Sequence, residues 1–348
     1  MSILFAEDFK GYGTDISLLL NGLYAELGTD VSLTEDPDTS ASGPVFKTFS
    51  NAVQGFRLRR VFPAGRDTIG VAMRFWMDAL PPNNTTVPCL SLLDGSSVAM
   101  ASMTIDTTGR LRIHVGYGNT DPVAQSAPVF TAGSWHHIEI KAPTSDSSGT
   151  YTIKMDGVTV LTTTAPALAG QTFQMCFANP NSTGLTSAWY VKDLVVWDTL
   201  GGENDDFLGT VQVIGRTLTS DVSFNWAASH GTTGYNLLGN SPPVDGTDYI
   251  SAGFPAPSAS TFGLSQLADD VTSVKALIVQ VRARKIDGGD GSIQSSLISN
   301  GNTEDGASRA ITSSFTYYED VFEVDPHTSS PWTPVSADAA VVKINRTV

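Results

Sequence analysis

The sequence predicts an all-β protein built from two β-rich domains. Three observations lead there. The chain has 348 residues, of which 36 are Ser and 38 Thr against only 20 Lys and Arg, a composition that suits strands and turns better than long amphipathic helices. Hydrophobicity repeats overwhelmingly with period two. Turn signals such as Asp94-Gly95, Thr108-Gly109 and Asn179-Pro180-Asn181 recur at a spacing of about 8–15 residues, the rhythm of an antiparallel sandwich. Length alone predicts more than one domain, and 41% hydrophobic residues provide material for a core.

The elements follow in order. Strands are expected at Gly55–Val61, Thr68–Met77, Cys89–Leu93, Ala99–Ile105, Arg110–Val115, Ser134–Lys141, Gln171–Ala178 and Ser187–Trp197. Between them, Tyr151–Leu161 reads as a hairpin around Asp156-Gly157, a pair suited to the two positive-φ positions of a type I′ turn. A two-residue loop pairs Met155 with Val158 and Ile153 with Val160, so Tyr151, Ile153, Met155, Val158 and Val160 are expected on one face. The polar, Gly-rich run 199–208 reads as a linker dividing domain 1–200 from domain 201–348. Strands then resume at Gly209–Arg216, Ser223–Trp226, Val274–Arg284, Ser292–Ser299, Ala310–Val321 and Ala339–Ile344. Leu264, Leu267, Val271 and Val274 are spaced for a short helix.

The first 200 residues resemble the LamG-like family of concanavalin A-like jelly rolls. The likeness rests on Leu4–Phe9 as a first edge strand and on the Trp-His strand Gly133–Ile140. The hairpin that follows and the closing strand Tyr190–Asp198 complete it. That family's fold carries sugar binding, protein binding and sometimes Ca²⁺, but no calcium constellation of the family is legible here. Residues 204–344 resemble the passage that follows LamG-like modules in structural proteins of tailed-bacteriophage virions. Phe207–Val213, Ser223–Trp226, Asp245–Ile250, Val279–Arg284 and Asp325–Thr333 carry that likeness. It implies a non-enzymatic virion component, expected as a tail appendage (fibre or tip), with capsid decoration as the alternative. Its partners would be other virion proteins, further copies of itself and, through the sandwich, a host surface glycan.

Charge narrows the partners. The net charge of −15 argues against nucleic acid, whose phosphates are bound by Lys and Arg. No apolar run is long enough for a transmembrane helix. The start, Met1–Asp8, lacks a basic n-region, so assembly in a host cytoplasm is expected. Cys89 and Cys176 each sit in an apolar stretch and read as buried thiols, a single disulfide being the alternative.

Glu7, Asp8 and Glu139 are available carboxylates, but no pair shows glycosidase spacing. Glu139 alternates with Ile138 and Ile140 and is expected to face solvent. His136 and His137 are strand neighbours that face opposite ways and cannot share one metal. His114, His230 and His327 add no ligand spacing. Glu203–Asp206 and Asp287–Gly291 offer oxygen ligands but read as solvated loops, the second as a hairpin tip. Trp189 and Trp197 are expected on one strand face, packed in the core. Arg57 and Arg59, on one face of a strand beside Arg60, are the candidate partner- or ligand-binding residues. The expectation is therefore no enzyme, no cofactor and no metal. A polysaccharide-degrading enzyme and a free lectin are the remaining alternatives.

Overall fold

A computed structural model describes residues 2–12, 15–20, 23–27, 31–38, 44–49, 58–81, 87–116, 121–143, 149–165, 171–177, 188–239, 246–253 and 258–347. The chain divides into two units, one holding Leu4–Val213 and the other Ile214–Val348. The all-β class and the N-terminal sandwich expected from the sequence are both present.

The first unit is a two-sheet antiparallel sandwich. Its strands are β1 (Ile3–Glu7), β2 (Glu26–Leu27), β3 (Val31–Glu35), β4 (Pro44–Phe49), β5 (Leu58–Arg66), β6 (Thr68–Met77), β7 (Val87–Leu93), β8 (Ala99–Ile105), β9 (Arg110–Val115), β10 (Ala124–Pro128), β11 (His136–Pro143), β12 (Gly149–Met155), β13 (Val158–Ala165), β14 (Thr172–Phe177) and β15 (Ala188–Asp198). One sheet runs β13-β12-β11-β6-β15-β4-β3, with β1 added on β15; the other runs β10-β9-β8-β7-β14-β5-β2. Alternation makes the sandwich. On β6, Met73, Phe75 and Met77 are buried while Arg74 and Trp76 are only partly so. Phe75 meets Trp189, which reaches Phe177 of the opposite sheet. Burial of such large side chains contributes roughly 1.5–3 kcal/mol each. Cys89 lies in this core, where burial pushes its thiol up to about 12.

The Asp156-Gly157 turn forms with both residues at positive φ, 50° and 82°. Met155 pairs with Val158 as expected, but an irregularity then pairs Ile153 with Leu161 in place of Val160. Leu161 therefore takes the core position, and Val158 is left 65% exposed.

In the second unit a six-stranded sheet runs Leu218–Ser223, Ser258–Leu264, Val341–Arg346, Ser292–Ser299 and Asn302–Asp305, with Arg309–Ala310 also on Ser292–Ser299. A separate ribbon pairs Leu277–Ala283 with Thr316–Phe322. Phe262, Leu297, Phe322, Trp332 and Ile344 are among the buried residues of its core. Residues 265–276 are not helical. Their donors are taken by partners elsewhere: Ser265 N–H by Thr217 O at 2.8 Å and Leu267 N–H by Asp338 Oδ1 at 2.7 Å. The β-branched Val271, Thr272 and Val274 also disfavour a helix. The two α-helices among the described residues are short, Tyr235–Leu238 and Pro334–Asp338; neither could cross a membrane. Asp287–Gly291 is an exposed loop between strands of different sheets, not a hairpin tip.

The Asp325–Thr333 motif turns out to be a folding device. Asp325 is buried and its Oδ1 accepts the His327 N–H at 2.9 Å, closing a turn that pairs Val324–Asp325 with Ser330–Pro331. Trp332 is buried and donates to Phe322 O at 3.0 Å. Thr333 and Ser336 form a capping box on the helix Pro334–Asp338, an arrangement that satisfies two end donors at once.

Candidate functional site

The outer face of the eight-stranded sheet is organised by one residue. Between Lys192 and Val195 the pairing of β15 with β6 slips, and Asp193 sits there at φ 51°. Such a bulge exchanges the faces of a strand. Before it, Trp189 points into the core; after it, Trp197 points outward across Gly70, where a Cβ would fall inside its ring. The two tryptophans therefore lie on opposite faces, contrary to the reading from strand alternation alone.

Trp197 is nevertheless fully buried, because residues 206–213 run back over this end of the sheet. Phe207 packs edge-on against Trp197 at 6.4 Å, with Lys154 Nζ 4.0 Å above its ring. Lys141 pairs with Asp206 at 2.9 Å. Backbone N–H groups of this strap donate to side chains of the sheet. Leu208 and Gly209 donate to Glu139 Oε1 at 2.8 and 3.1 Å, and Val213 donates to Asp193 Oδ1 at 2.9 Å. Val211 N–H makes a long 3.4 Å bond to His137 Nε2. Burial raises the Glu139 and Asp193 carboxyls above their ordinary values. Burial, with the Arg74 guanidinium nearby, lowers the His137 imidazole to about 4.

Several expectations change here. Glu139 is 0% exposed; it faces outward as its parity requires, but the strap seals it from solvent. The stretch read as a linker and the strand expected at Gly209–Arg216 are instead largely this irregular strap, which explains why the chain divides after Val213 and not at 200. Its N–H groups go to side chains, so no ladder forms.

The other end of the same face carries an aromatic cluster. Trp76 of β6 and Trp135, just before β11, lie 5.9 Å apart, tilted by 57°, and both are partly exposed. Each indole N–H is held by a carboxylate: Trp76 by Asp78 Oδ1 at 3.1 Å, Trp135 by Asp36 Oδ1 at 2.9 Å. The second oxygen of Asp36 pairs with Lys192 at 2.5 Å, and the Asp36 side chain is only 2% exposed. Lys192 Nζ also lies 4.2 Å above the Trp135 ring, and Lys47 Nζ lies 5.3 Å above that of Tyr190. Tyr190 donates to Asp78 Oδ2 at 3.4 Å. The result is two tilted indoles whose orientation is fixed from behind and beside them, with exposed Asp78 and partly exposed Lys47 alongside. Partly exposed aromatic faces stack on apolar C–H surfaces, and flanking polar groups take hydroxyls.

The residues expected to carry function are placed elsewhere. Arg57 lies outside the described residues. Arg59 is partly buried, its Nη1 on Gln174 Oε1 at 2.7 Å and Ser97 Oγ at 3.1 Å. Arg60 lies over the ring of Phe5 at 4.0 Å. Glu7 is buried and fixes a turn, accepting from Phe9 N–H at 2.9 Å and Tyr12 O–H at 2.6 Å. His136 packs on Phe130 and bonds Asp156 at 2.8 Å, while His137 lies under the strap on the opposite face. No cluster of three or more metal-type ligands occurs among the described residues. A cavity of about 20 Å³ between the sheets, lined by Leu90, Met103, Ile113 and Tyr151 among others, is too small for a sugar. The sequence did signal the aromatic cluster: on β6, Trp76 shares the parity of Arg74, not that of Phe75.

No protein-family model and no curated protein sequence matches this chain. Among solved structures it is similar to a Bacillus subtilis protein with a galectin-like fold, at 9% identity and TM-score 0.38. That match covers 57% of this chain and 96% of the other. It is also similar to the carbohydrate-binding module CBM66 from Bacillus subtilis, at 8% identity and TM-score 0.34, covering 50% of this chain and 94% of that one. A Trypanosoma rangeli sialidase matches at 13% identity and TM-score 0.31 over 50% of this chain. This chain spans 29–31% of the length of the sialidase structures it matches.

Proposed function

We propose that the first unit is a non-enzymatic glycan-binding sandwich, and that its ligand lies on Trp76 and Trp135. The observation that carries this reading is the pair of partly exposed indoles, each locked by a carboxylate on its N–H. Rings held in place lose little freedom when a ligand stacks on them. The sealed position of Glu139 and the ion pairing of Asp36 support a binding role over a hydrolytic one. Glycan binding is tested by titrating the full chain with defined oligosaccharides and repeating with Trp76→Ala and Trp135→Ala. Each substitution is expected to weaken binding about tenfold, corresponding to ~1.4 kcal/mol. Unchanged affinity in both variants, or release of reducing ends from the oligosaccharide, overturns the reading.

The setting proposed for this module is a tailed-phage particle, as a tail appendage in preference to a head decoration. Support comes from the resemblance of residues 204–344 to virion structural proteins. Its test is incorporation: particles made with a chain truncated after Val213 should lack the protein while full-length chain is packaged. Packaging of the truncated chain overturns the assignment.

A further inference from the structure

One lysine–carboxylate pair on the outer face of the eight-stranded sheet is arranged for more than charge pairing. Lys192 lies on β15 and Asp36 directly follows β3, with β4 between the two strands. Lys192 Nζ lies 2.5 Å from Asp36 Oδ2, and the two side chains are only 11% and 2% exposed. The pairs Lys141–Asp206 and Lys343–Asp305 are solvated by comparison, their carboxylates being 70% and 54% exposed. The other oxygen of Asp36 is also occupied. Oδ1 accepts two N–H groups at 2.9 Å each, one from the Trp135 indole and one from the Asp38 backbone. The Trp135 ring forms an aromatic wall beside the pair, its centroid 4.2 Å from Nζ.

Addition of an amine to a carboxyl carbon needs the nitrogen held against the group and donors on the oxygen that takes up negative charge. Asp36 has both: Nζ at one oxygen, two N–H groups at the other. Burial supplies the driving force, because an ion pair out of water carries a desolvation cost that a neutral, hydrogen-bonded amide does not. We infer that Asp36 and Lys192 condense to an amide that crosslinks β15 to the turn after β3. One proton first passes from Nζ to Oδ2, leaving a neutral amine beside a carboxylic acid. The Nζ lone pair then adds to Cγ, and the negative charge falls on Oδ1 between the Trp135 and Asp38 N–H groups. The Cγ–Oδ2 bond breaks as Oδ2 takes a second proton from Nζ and leaves as water. One hydrogen stays on the amide nitrogen, and no co-reactant is consumed. Oδ1 becomes the amide carbonyl oxygen and still accepts the Trp135 N–H. The crosslink does not depend on what the aromatic cluster binds.

The test is the intact mass of the full chain, measured by mass spectrometry after denaturation. The expected mass is short of the sequence mass by one molecule of water, and a protease digest should contain the peptides of Asp36 and Lys192 joined as one species. Lys192→Arg keeps the positive charge but removes the amine, and should restore the full sequence mass, as should Asp36→Ala. Trp135→Phe keeps a ring beside the pair and removes one N–H donor from Oδ1. Loss of such a donor slows addition about a hundredfold, so in freshly made Trp135→Phe protein the loss of water should accumulate that much more slowly. A parent chain that holds its full sequence mass after prolonged incubation overturns the proposal. So does a water deficit that persists in Lys192→Arg, because the dehydration then lies elsewhere in the chain.

Discussion

At one end of the outer sheet face Trp197 lies beneath Phe207 and is fully buried; at the other, Trp76 and Trp135 remain partly exposed. Both ends begin from outward-facing indoles on the same sheet. They differ in what each indole is given. Trp197 receives cover, and the cover brings backbone N–H groups that must be satisfied, hence Glu139, His137 and Asp193 on the sheet below. Trp76 and Trp135 receive no such strap among the described residues; they receive carboxylates that fix their N–H groups and leave ring surface available. A buried aromatic face is a folding element, and an oriented, accessible one is a recognition element.

Breaking the ion pair behind the aromatic end is expected to have the largest effect. Asp36→Ala leaves Lys192 beside the indole without its partner, and about 3–5 kcal/mol of stability should be lost, the cost of stranding one member of a buried pair. Denaturant unfolding of the full chain measures this, and glycan affinity should fall with it as Trp135 loses its anchor. At the strapped end, Glu139→Leu removes the acceptor for two N–H groups and should cost about 2 kcal/mol. Hydrogen exchange at 208–213 should rise while glycan affinity stays unchanged. A parallel loss of affinity would mean that the two ends are not separate devices.

The smallest effect is a dependence on pH. His137 stays neutral in the folded protein down to about 4, whereas an unfolded histidine takes its proton near 6.5. The unfolded state therefore binds more protons as the pH falls between these values, and stability declines across that window. Glu139 and Asp193 act in the opposite sense, because burial raises their carboxyls and the folded state takes up their protons first. His137→Gln isolates the histidine: its stability should fall less than that of the parent chain on going from neutral pH to about 4. Identical slopes would remove His137 from the account.

What was legible in the sequence was local. Alternation on β6 and the Asp156-Gly157 turn give strands, faces and a hairpin, because each depends on residues close together along the chain. The register beyond the turn was lost to one irregularity at Val160. The strap was hidden because its first part reads as a polar, Gly-rich connection and the rest, from Gly209, as the start of a strand; what holds it is its backbone, whose partners lie on β11 and β15. Glu139 shows the same limit: parity assigned its face correctly, but no pattern in Ile138–Ile140 tells whether that face is covered. The aromatic cluster draws on positions 36, 47, 76, 78, 135, 190 and 192, and only β-pairing brings them together.

The bulge at Asp193 also limits how this protein can change. Substitutions along β15 alter one side chain at a time. Paired with β6 without the slip, the same residues would turn the second half of the strand over. Val195 and Trp197 would then meet the core, while Leu194 and Val196 would meet the strap. The loss would fall on both layers at once, so no single compensating substitution could repair it. In descent, β15 is held in its register as well as in its buried side chains, and a relative that lost the slip at the same strand length would need a different solution for the whole outer face.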